Sequence, residues 1–213
     1  KLTVILNGYD ERVFNQSVPV PDKLEEKYRG KKVILTVRRL VPKNGIQYLV
    51  AALPALIERI PNVHYVMIGD GRMQKYLKMQ NAKCKVESFI DMLGDLPNEQ
   101  VPGYLARADV VVFPSTAESS SIACAEAMAM GKQVVASKVG GLVELLGEKE
   151  ERGTFVKLVD WEDSNFDAPL ELSPERYIHL AEVIERVLAH PDNAKAASAA
   201  TWAREYMSWA VVV

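Results

Sequence analysis

The 213-residue sequence is poor in several features that mark large classes of protein. Lysine and arginine total 26 against 28 aspartate and glutamate residues, so the basic excess typical of nucleic-acid-binding proteins is missing. No apolar run approaches the roughly 20 residues that are needed to span a bilayer. We therefore expect no nucleic-acid partner and no transmembrane segment.

Cysteine and histidine are also scarce. The two cysteines, Cys84 and Cys124, are too few for a disulfide framework and favour a reducing compartment. We therefore expect a cytoplasmic location, either free or at the membrane periphery in the full-length protein. The three histidines are scattered without metal-ligand spacing, and no Ser-His-Asp or Cys-His set stands out. The sequence predicts neither a metal nor another cofactor.

What the chain does have is a regular alternation of short apolar runs and amphipathic segments. The apolar, β-branched runs predict strands at residues 32–37, 63–68, within 84–93, 110–113, 134–136 and 154–159. Helical spacing predicts helices at about 46–60, 73–82, 102–106, from 121, from 140, from 173 and at 192–209. Pro54 interrupts the first of these, so we expect a kink or a late start there.

This alternation predicts an α/β fold: a Rossmann-like, doubly wound parallel sheet with helices on both faces. We interpret residues 1–213 as one domain, with a lead-in over 1–30, the sheet within 31–172, and two closing C-terminal helices within 173–213. Ligands of such sheets gather at the carboxyl ends of the strands. The loops after these strands are therefore the places to look for a site.

One of these loops carries two acidic residues around a predicted helix start. Glu118 is followed by Ser119-Ser120-Ser121, which favour a cap, and Glu126 lies in the alanine-rich helix behind them. A helix start offers unpaired N–H groups and a positive dipole end, which suit an anion such as a diphosphate. A solvated pair of helix glutamates is the alternative, but the alanines around Glu126 predict close packing and favour a ligand site.

Two other strand ends carry weaker signals. Arg38 and Arg39 follow a buried strand, where they could form a structural ion pair or a phosphate clamp. Gly69-Asp70-Gly71 follows the next strand and fits a tight turn. It is not a dinucleotide fingerprint, because no G-x-G-x-x-G occurs there.

These stretches together resemble a known family. Residues 118–126 and the following Ala-Met-Ala-x-Gly-Lys resemble the E-x7-E signature of the retaining nucleotide-sugar glycosyltransferases of family 4, which have the GT-B fold. In the same order, residues 39–45 resemble the family's G-R-L-x-x-x-K-G, 66–71 its V-I-V-G-D-G, 105–115 its Y-A-x-A-D-V-F-V-x-P-S, and 139–141 its x-V-G-G. The opening I-L-N-G-Y-D and the late Ser208-Trp209 also match, so the resemblance covers nearly the whole chain.

The resemblance implies a role for each matching residue. It implies that the donor diphosphate binds at Arg39, Lys43, Asn44 and the backbone N–H groups of Ser121 and Ile122. The donor sugar is expected at Glu118, the catalytic residue, with Ser119 and Ser120. The ribose is expected at Glu126, and the base near Gly69, Asp70 and Gly71. It implies no metal, because side chains and the helix end neutralise the leaving phosphate.

The chain departs from the family pattern at two places. The family's lysine falls on Asn44, with Lys43 one residue early, and the usual G-x-G after the first glutamate is Ser119-Ser120-Ser121. We expect Lys43 or Arg38 to replace the lysine in part.

The function implied is that of the donor-binding half of a glycosyltransferase, which moves a hexosyl group from a UDP-, GDP- or ADP-linked sugar with retention. The acceptor domain would precede Lys1, so this half alone is expected to be inactive. Two alternatives remain open: a nucleotide-sugar 2-epimerase of the same architecture, and a non-catalytic sugar-nucleotide-binding domain.

Overall fold

The computed structural model describes residues 7–158 and 173–212 and contains one six-stranded sheet. The strands are β1 (Lys32–Val37), β2 (Val63–Ile68), β3 (Ile90–Gly94), β4 (Val110–Phe113), β5 (Gln133–Ser137) and β6 (Thr154–Val156). Their spatial order is β3-β2-β1-β4-β5-β6, and every neighbouring pair is parallel. The predicted doubly wound parallel sheet is confirmed.

Helices connect the strands and cover both faces of the sheet. They are α1 (Asp22–Lys27), α2 (Ile46–Arg59), α3 (Gln74–Cys84), α4 (Val101–Arg107), α5 (Ile122–Ala129), α6 (Gly140–Leu146), α7 (Pro174–Ala189), α8 (Asn193–Met207) and α9 (Trp209–Val212). Helix α2 packs against α3 and α7, whereas α5 packs against α6 and α8. Right-handed crossovers place these two groups on opposite faces.

The central strands are mostly apolar because helices cover both of their faces. In β1, Ile34, Leu35 and Thr36 are fully buried, and the four residues of β4 are buried as well. The Thr36 hydroxyl shares a 2.8 Å hydrogen bond with the phenol of Tyr65, which satisfies both buried groups.

The structure differs from the sequence-based expectations in several details. Helix α1 was not predicted, because its one buried residue, Leu24, leaves no apolar stripe to recognise. Helix α2 begins at Ile46 and continues through Pro54, so the late start is wrong. The strand predicted at 154–159 ends at Val156, and residues 159–172 lie outside the described part of the chain. The short helix α9 follows the two expected closing helices.

The beginning and the end of the described chain lie side by side. Tyr9 and Ser208 form an isolated parallel bridge, in which the Tyr9 N–H donates to the Met207 carbonyl at 2.9 Å. The Trp209 N–H in turn donates to the Tyr9 carbonyl at 3.0 Å.

The sheet changes winding direction between β1 and β4, which are neighbours in space but far apart in sequence. The loops that leave their carboxyl ends lie in contact. Gly45, at φ +71°, sits so close to the Pro114 carbonyl that a Cβ would overlap its oxygen. The Thr116 N–H donates to the Lys43 carbonyl at 2.8 Å. A crevice of this kind is where doubly wound sheets bind their ligands.

We predict that Gly45→Ala destabilises the protein more than Gly30→Ala. Both glycines have a left-handed φ near +70°, but nothing lies within 4 Å of a Cβ built at Gly30. Gly30→Ala should therefore lower the free energy of unfolding by about 1–2 kcal/mol through backbone strain alone. Gly45→Ala should lower the free energy of unfolding by a further ~1–3 kcal/mol because the two loops are forced apart. Urea unfolding of both variants measures the difference, and equal losses would contradict the close contact.

Candidate functional site

The amino end of α5 opens at the crevice between β1 and β4. Ser121 is its N-cap residue, and its hydroxyl accepts a hydrogen bond from the Cys124 N–H at 3.3 Å. The N–H groups of Ile122 and Ala123 have no acceptor among the described residues. These free donors and the positive end of the helix dipole make this point suitable for an anion.

Helix α5 is fixed in place by close packing. Cys124, Ala125, Ala127 and Met128 are fully buried, and the helix lies against α8. Burial raises the pKa of the Cys124 thiol to about 12, so this thiol stays protonated and serves as a small core residue. The small side chains let the helix approach its neighbours closely, which fixes the position of its amino end.

Arg38 lies at the centre of the crevice. Its guanidinium group forms an ion pair with the Glu118 carboxylate and donates to the Asn44 side-chain oxygen and to Ser121 Oγ, both at 3.1 Å. The Arg38 and Glu118 side chains are only 8% and 5% exposed. The Arg38 Cζ lies 5.6 Å from the centre of the Phe113 ring. One side chain thus joins the loop after β1, the loop after β4 and the cap of α5.

Glu118 begins a loop that is supported from behind by α6. The Gly141 N–H donates to the Glu118 carbonyl at 2.9 Å, and a Cβ at Gly140 or Gly141 would overlap the carbonyl oxygens of Glu118 and Ser119. Ser119 and Ser120 are exposed at the turn of the loop. The two glycines therefore allow the predicted sugar-binding loop to lie on the start of α6.

Glu126 lies one turn beyond Ile122, on the same face of α5. Its side chain is half-buried, and its carboxyl group has no hydrogen-bond or ion-pair partner within residues 7–158 and 173–212. Desolvation raises the pKa of Glu126 to about 7. A half-buried carboxyl with a raised pKa and no partner is a candidate for a ligand contact.

The residues after β1 divide into two groups. The Arg39 side chain is exposed at the crevice, and that of Lys43 is half-buried. Asn44 is instead buried, and its side-chain amide donates to the Arg39 carbonyl at 2.7 Å while its oxygen accepts from Arg38. Both polar ends of Asn44 are therefore occupied within the protein.

The Gly69-Asp70-Gly71 turn packs against the same segment. The Leu40 N–H donates to the Asp70 carbonyl at 2.8 Å, and side chains on either glycine would overlap the carbonyl oxygens of Arg38 and Leu40. The tight-turn interpretation is therefore sufficient to explain both glycines.

Lys132, in the A-M-A-x-G-K part of the signature, lies away from the crevice. Its amino group donates to the carbonyls of Ala106 and Ala108 at 2.7 and 3.2 Å, at the carboxyl end of α4. Desolvation lowers the pKa of this amino group. Lys132 therefore caps a helix at the opposite edge of the sheet.

The family match at the opening I-L-N-G-Y-D includes Asn7 but indicates no contact for its side chain. The Asn7 amide donates to Ser120 Oγ at 3.1 Å, which ties the start of the described chain to the loop after β4.

The described residues contain no group of three side chains arranged to hold a metal ion. None of the helices in these segments has the length and apolar character that crossing a bilayer requires.

We predict that Glu126→Gln becomes more stable relative to the wild type as the pH rises. The folded protein raises the Glu126 pKa from 4.5 to about 7, so the wild type loses stability as this carboxyl ionises between those values. Below pH 4.5 the two proteins should unfold at the same urea concentration, and above pH 7 the variant should be the more stable. A difference that does not change with pH would contradict the burial of this group.

Known proteins resemble this chain in sequence. The sequence profile of the family described as "Glycosyl transferases group 1" matches residues 22–165. An uncharacterized glycosyltransferase of Methanocaldococcus jannaschii is 35% identical over 158 residues, which cover 68% of this chain and 38% of the relative. Glycogen synthase of Mycobacterium tuberculosis is 32% identical over 144 residues, covering 68% of this chain and 33% of that protein.

Solved structures share the fold. The Anabaena protein HepE in complex with UDP and glucose superposes with a TM-score of 0.79 at 24% identity, covering 99% of this chain and 54% of that one. The C-terminal domain of a group 1 glycosyl transferase from Francisella tularensis superposes with a TM-score of 0.68 at 20% identity, covering 93% of this chain and 96% of that one.

The matches thus span well under half the length of the curated relatives. Within this chain the family profile covers the sheet from α1 to beyond β6, including every loop of the crevice. The chain belongs to the group 1 glycosyltransferase family.

Proposed function

We propose that this chain is the donor-binding half of a retaining glycosyltransferase that transfers a hexosyl group from a nucleoside diphosphate-sugar. The observation that carries the proposal is the arrangement at the crevice: free N–H groups at the start of α5 with Glu118 before them and Glu126 behind. The complexes of HepE with UDP and with UDP-glucose support a nucleotide-sugar at a fold of this kind.

In this proposal the diphosphate lies against the amino end of α5. The N–H groups of Ser121 and Ile122 donate to its oxygens, and the exposed Arg39 side chain and the neighbouring Lys43 supply positive charge. A pyrophosphate leaving group needs such stabilisation because negative charge develops on it as the glycosidic bond breaks. This arrangement requires no metal ion.

The carboxylates of Glu118 and Glu126 bind the two parts of the donor that carry hydroxyl groups. Glu118 contacts the sugar, together with Ser119 and Ser120, and acts as the catalytic residue. Glu126 accepts hydrogen bonds from the ribose, and the base lies near the turn at 69–71. An acceptor domain outside this chain would close the other side of the cleft, so that this chain alone binds donor without turnover.

We predict that the 213-residue chain binds one of UDP, GDP and ADP by calorimetry. Glu126→Gln should weaken that nucleotide about tenfold or more, because a charge-assisted hydrogen bond to the ribose is lost. The loss should be smaller for the 2′-deoxy form of the same nucleotide. The exposed Glu58 on α2 gives the matched control, Glu58→Gln, which should bind like the wild type.

Absence of binding by all three nucleotides at millimolar concentration would sink this donor-site proposal. An equal loss for the ribose and the 2′-deoxy forms would remove Glu126 from the ribose site.

We predict that Glu118→Gln in the full-length enzyme lowers turnover by about 10²–10³-fold, because its contact with the reacting sugar is lost. Affinity for the free nucleotide should change far less. Product stereochemistry by NMR tests retention, and an inverted anomer would overturn that part of the proposal. Formation of an epimer from labelled donor without acceptor would instead support isomerisation.

A further inference from the structure

The Arg38 guanidinium occupies an unusual electrostatic position. It donates to the hydroxyl of Ser121, the cap of α5, and so lies beside the positive end of a helix dipole. A cation at this end of a helix is destabilised unless an anion accompanies it. Here the buried Glu118 carboxylate is that anion.

The ion pair with Glu118 leaves the Arg38 guanidinium with N–H donors that can bind an anion. One guanidinium N–H donates to Ser121, one donates to Asn44, and the group pairs with Glu118, while its remaining N–H donors have no acceptor among the residues described. A planar guanidinium group with free donors matches the oxygens of a phosphate. An anion bound at the start of α5 would lie next to it.

The residue at position 44 explains why Arg38, and not a lysine, carries the positive charge here. In the G-R-L-x-x-x-K-G element, the leading glycine falls on Arg38 and the lysine on Asn44. The side-chain ends of these two residues meet at 3.1 Å, so a cation carried by either position reaches the same point. Two cations at that separation would repel each other. The charge therefore sits at one position or the other, and in this chain Asn44 holds the guanidinium in place.

We propose that Arg38 provides a diphosphate-binding cation in addition to Arg39 and Lys43, and that diphosphate binding releases Glu118 to the donor sugar. In the absence of ligand the guanidinium pairs with Glu118. When the donor binds, the diphosphate oxygens replace the carboxylate, which then becomes free to accept hydrogen bonds from sugar hydroxyls. Asn44 is a positioning residue that acts through Arg38. This inference rests on the donor site proposed above.

The test moves the charge back to position 44. Wild type, Arg38→Gly, and the double variant Arg38→Gly with Asn44→Lys are titrated with UDP, GDP and ADP and with uridine, guanosine and adenosine. Arg38→Gly should weaken the diphosphate that the wild type binds most tightly by about 10- to 100-fold, because a charged hydrogen-bonding partner is lost. Binding of the matching nucleoside should not change. The double variant should recover diphosphate affinity to within about threefold.

Arg107 gives a matched control. Its side chain is similarly buried at 12% exposure and pairs with Asp109 at 3.3 Å, at the opposite edge of the sheet. Arg107→Gln should lose stability without losing diphosphate affinity. If Arg38→Gly fails to fold, Arg38→Lys and Arg38→Gln are compared, and only the lysine variant should retain diphosphate binding.

Each other outcome overturns the inference. Equal weakening of nucleotide and nucleoside, no rescue in the double variant, or equal binding by the lysine and glutamine variants would make Arg38 a purely structural residue. If the wild type binds none of the three diphosphates nor inorganic pyrophosphate, the donor site itself is wrong and this inference falls with it. Results that make Arg38 a purely structural residue would not contradict the proposed donor site.

Discussion

The contact between the loop after β1 and the loop after β4 determines the rest of the site. These strands are neighbours in the sheet because the winding direction reverses between them, and Gly45 lets the first loop lie against the Pro114 carbonyl. Only with the loops this close can Arg38 reach Glu118 and Ser121 together. A side chain at Gly45 would therefore disturb chemistry carried by residues that it does not touch.

Packing and electrostatics act together at α5. Its alanines and Cys124 hold the helix against the sheet and α8, so that its amino end points at the crevice without any ligand. Its first N–H groups have no acceptor among the described residues, and desolvation raises the pKa of Glu126 to about 7. An incoming polar ligand would satisfy groups that residues 7–158 and 173–212 leave unsatisfied, and this is a source of affinity that requires little rearrangement.

Local patterns predicted the fold well and the contacts within the site poorly. The bounds of β1, β2 and β4 follow from short, β-branched runs whose length and composition fit buried strands and nothing longer. The ion pair between Arg38 and Glu118 joins residues 80 positions apart, and no periodicity encodes it. From the sequence alone, Arg38 fitted a structural ion pair and a phosphate clamp equally well. Lys132 belongs to the matched Ala-Met-Ala-x-Gly-Lys stretch but caps α4, and a sequence match does not by itself distinguish ligand contacts from helix caps.

The pairing of Tyr9 with the segment around Ser208 has a mechanical meaning. The chain enters and leaves the described structure at one place, where backbone hydrogen bonds join the two segments. Tension applied between these segments would load that junction before any strand of the sheet. The Asn7 amide, bonded to Ser120, also connects this junction to the loop beside Glu118.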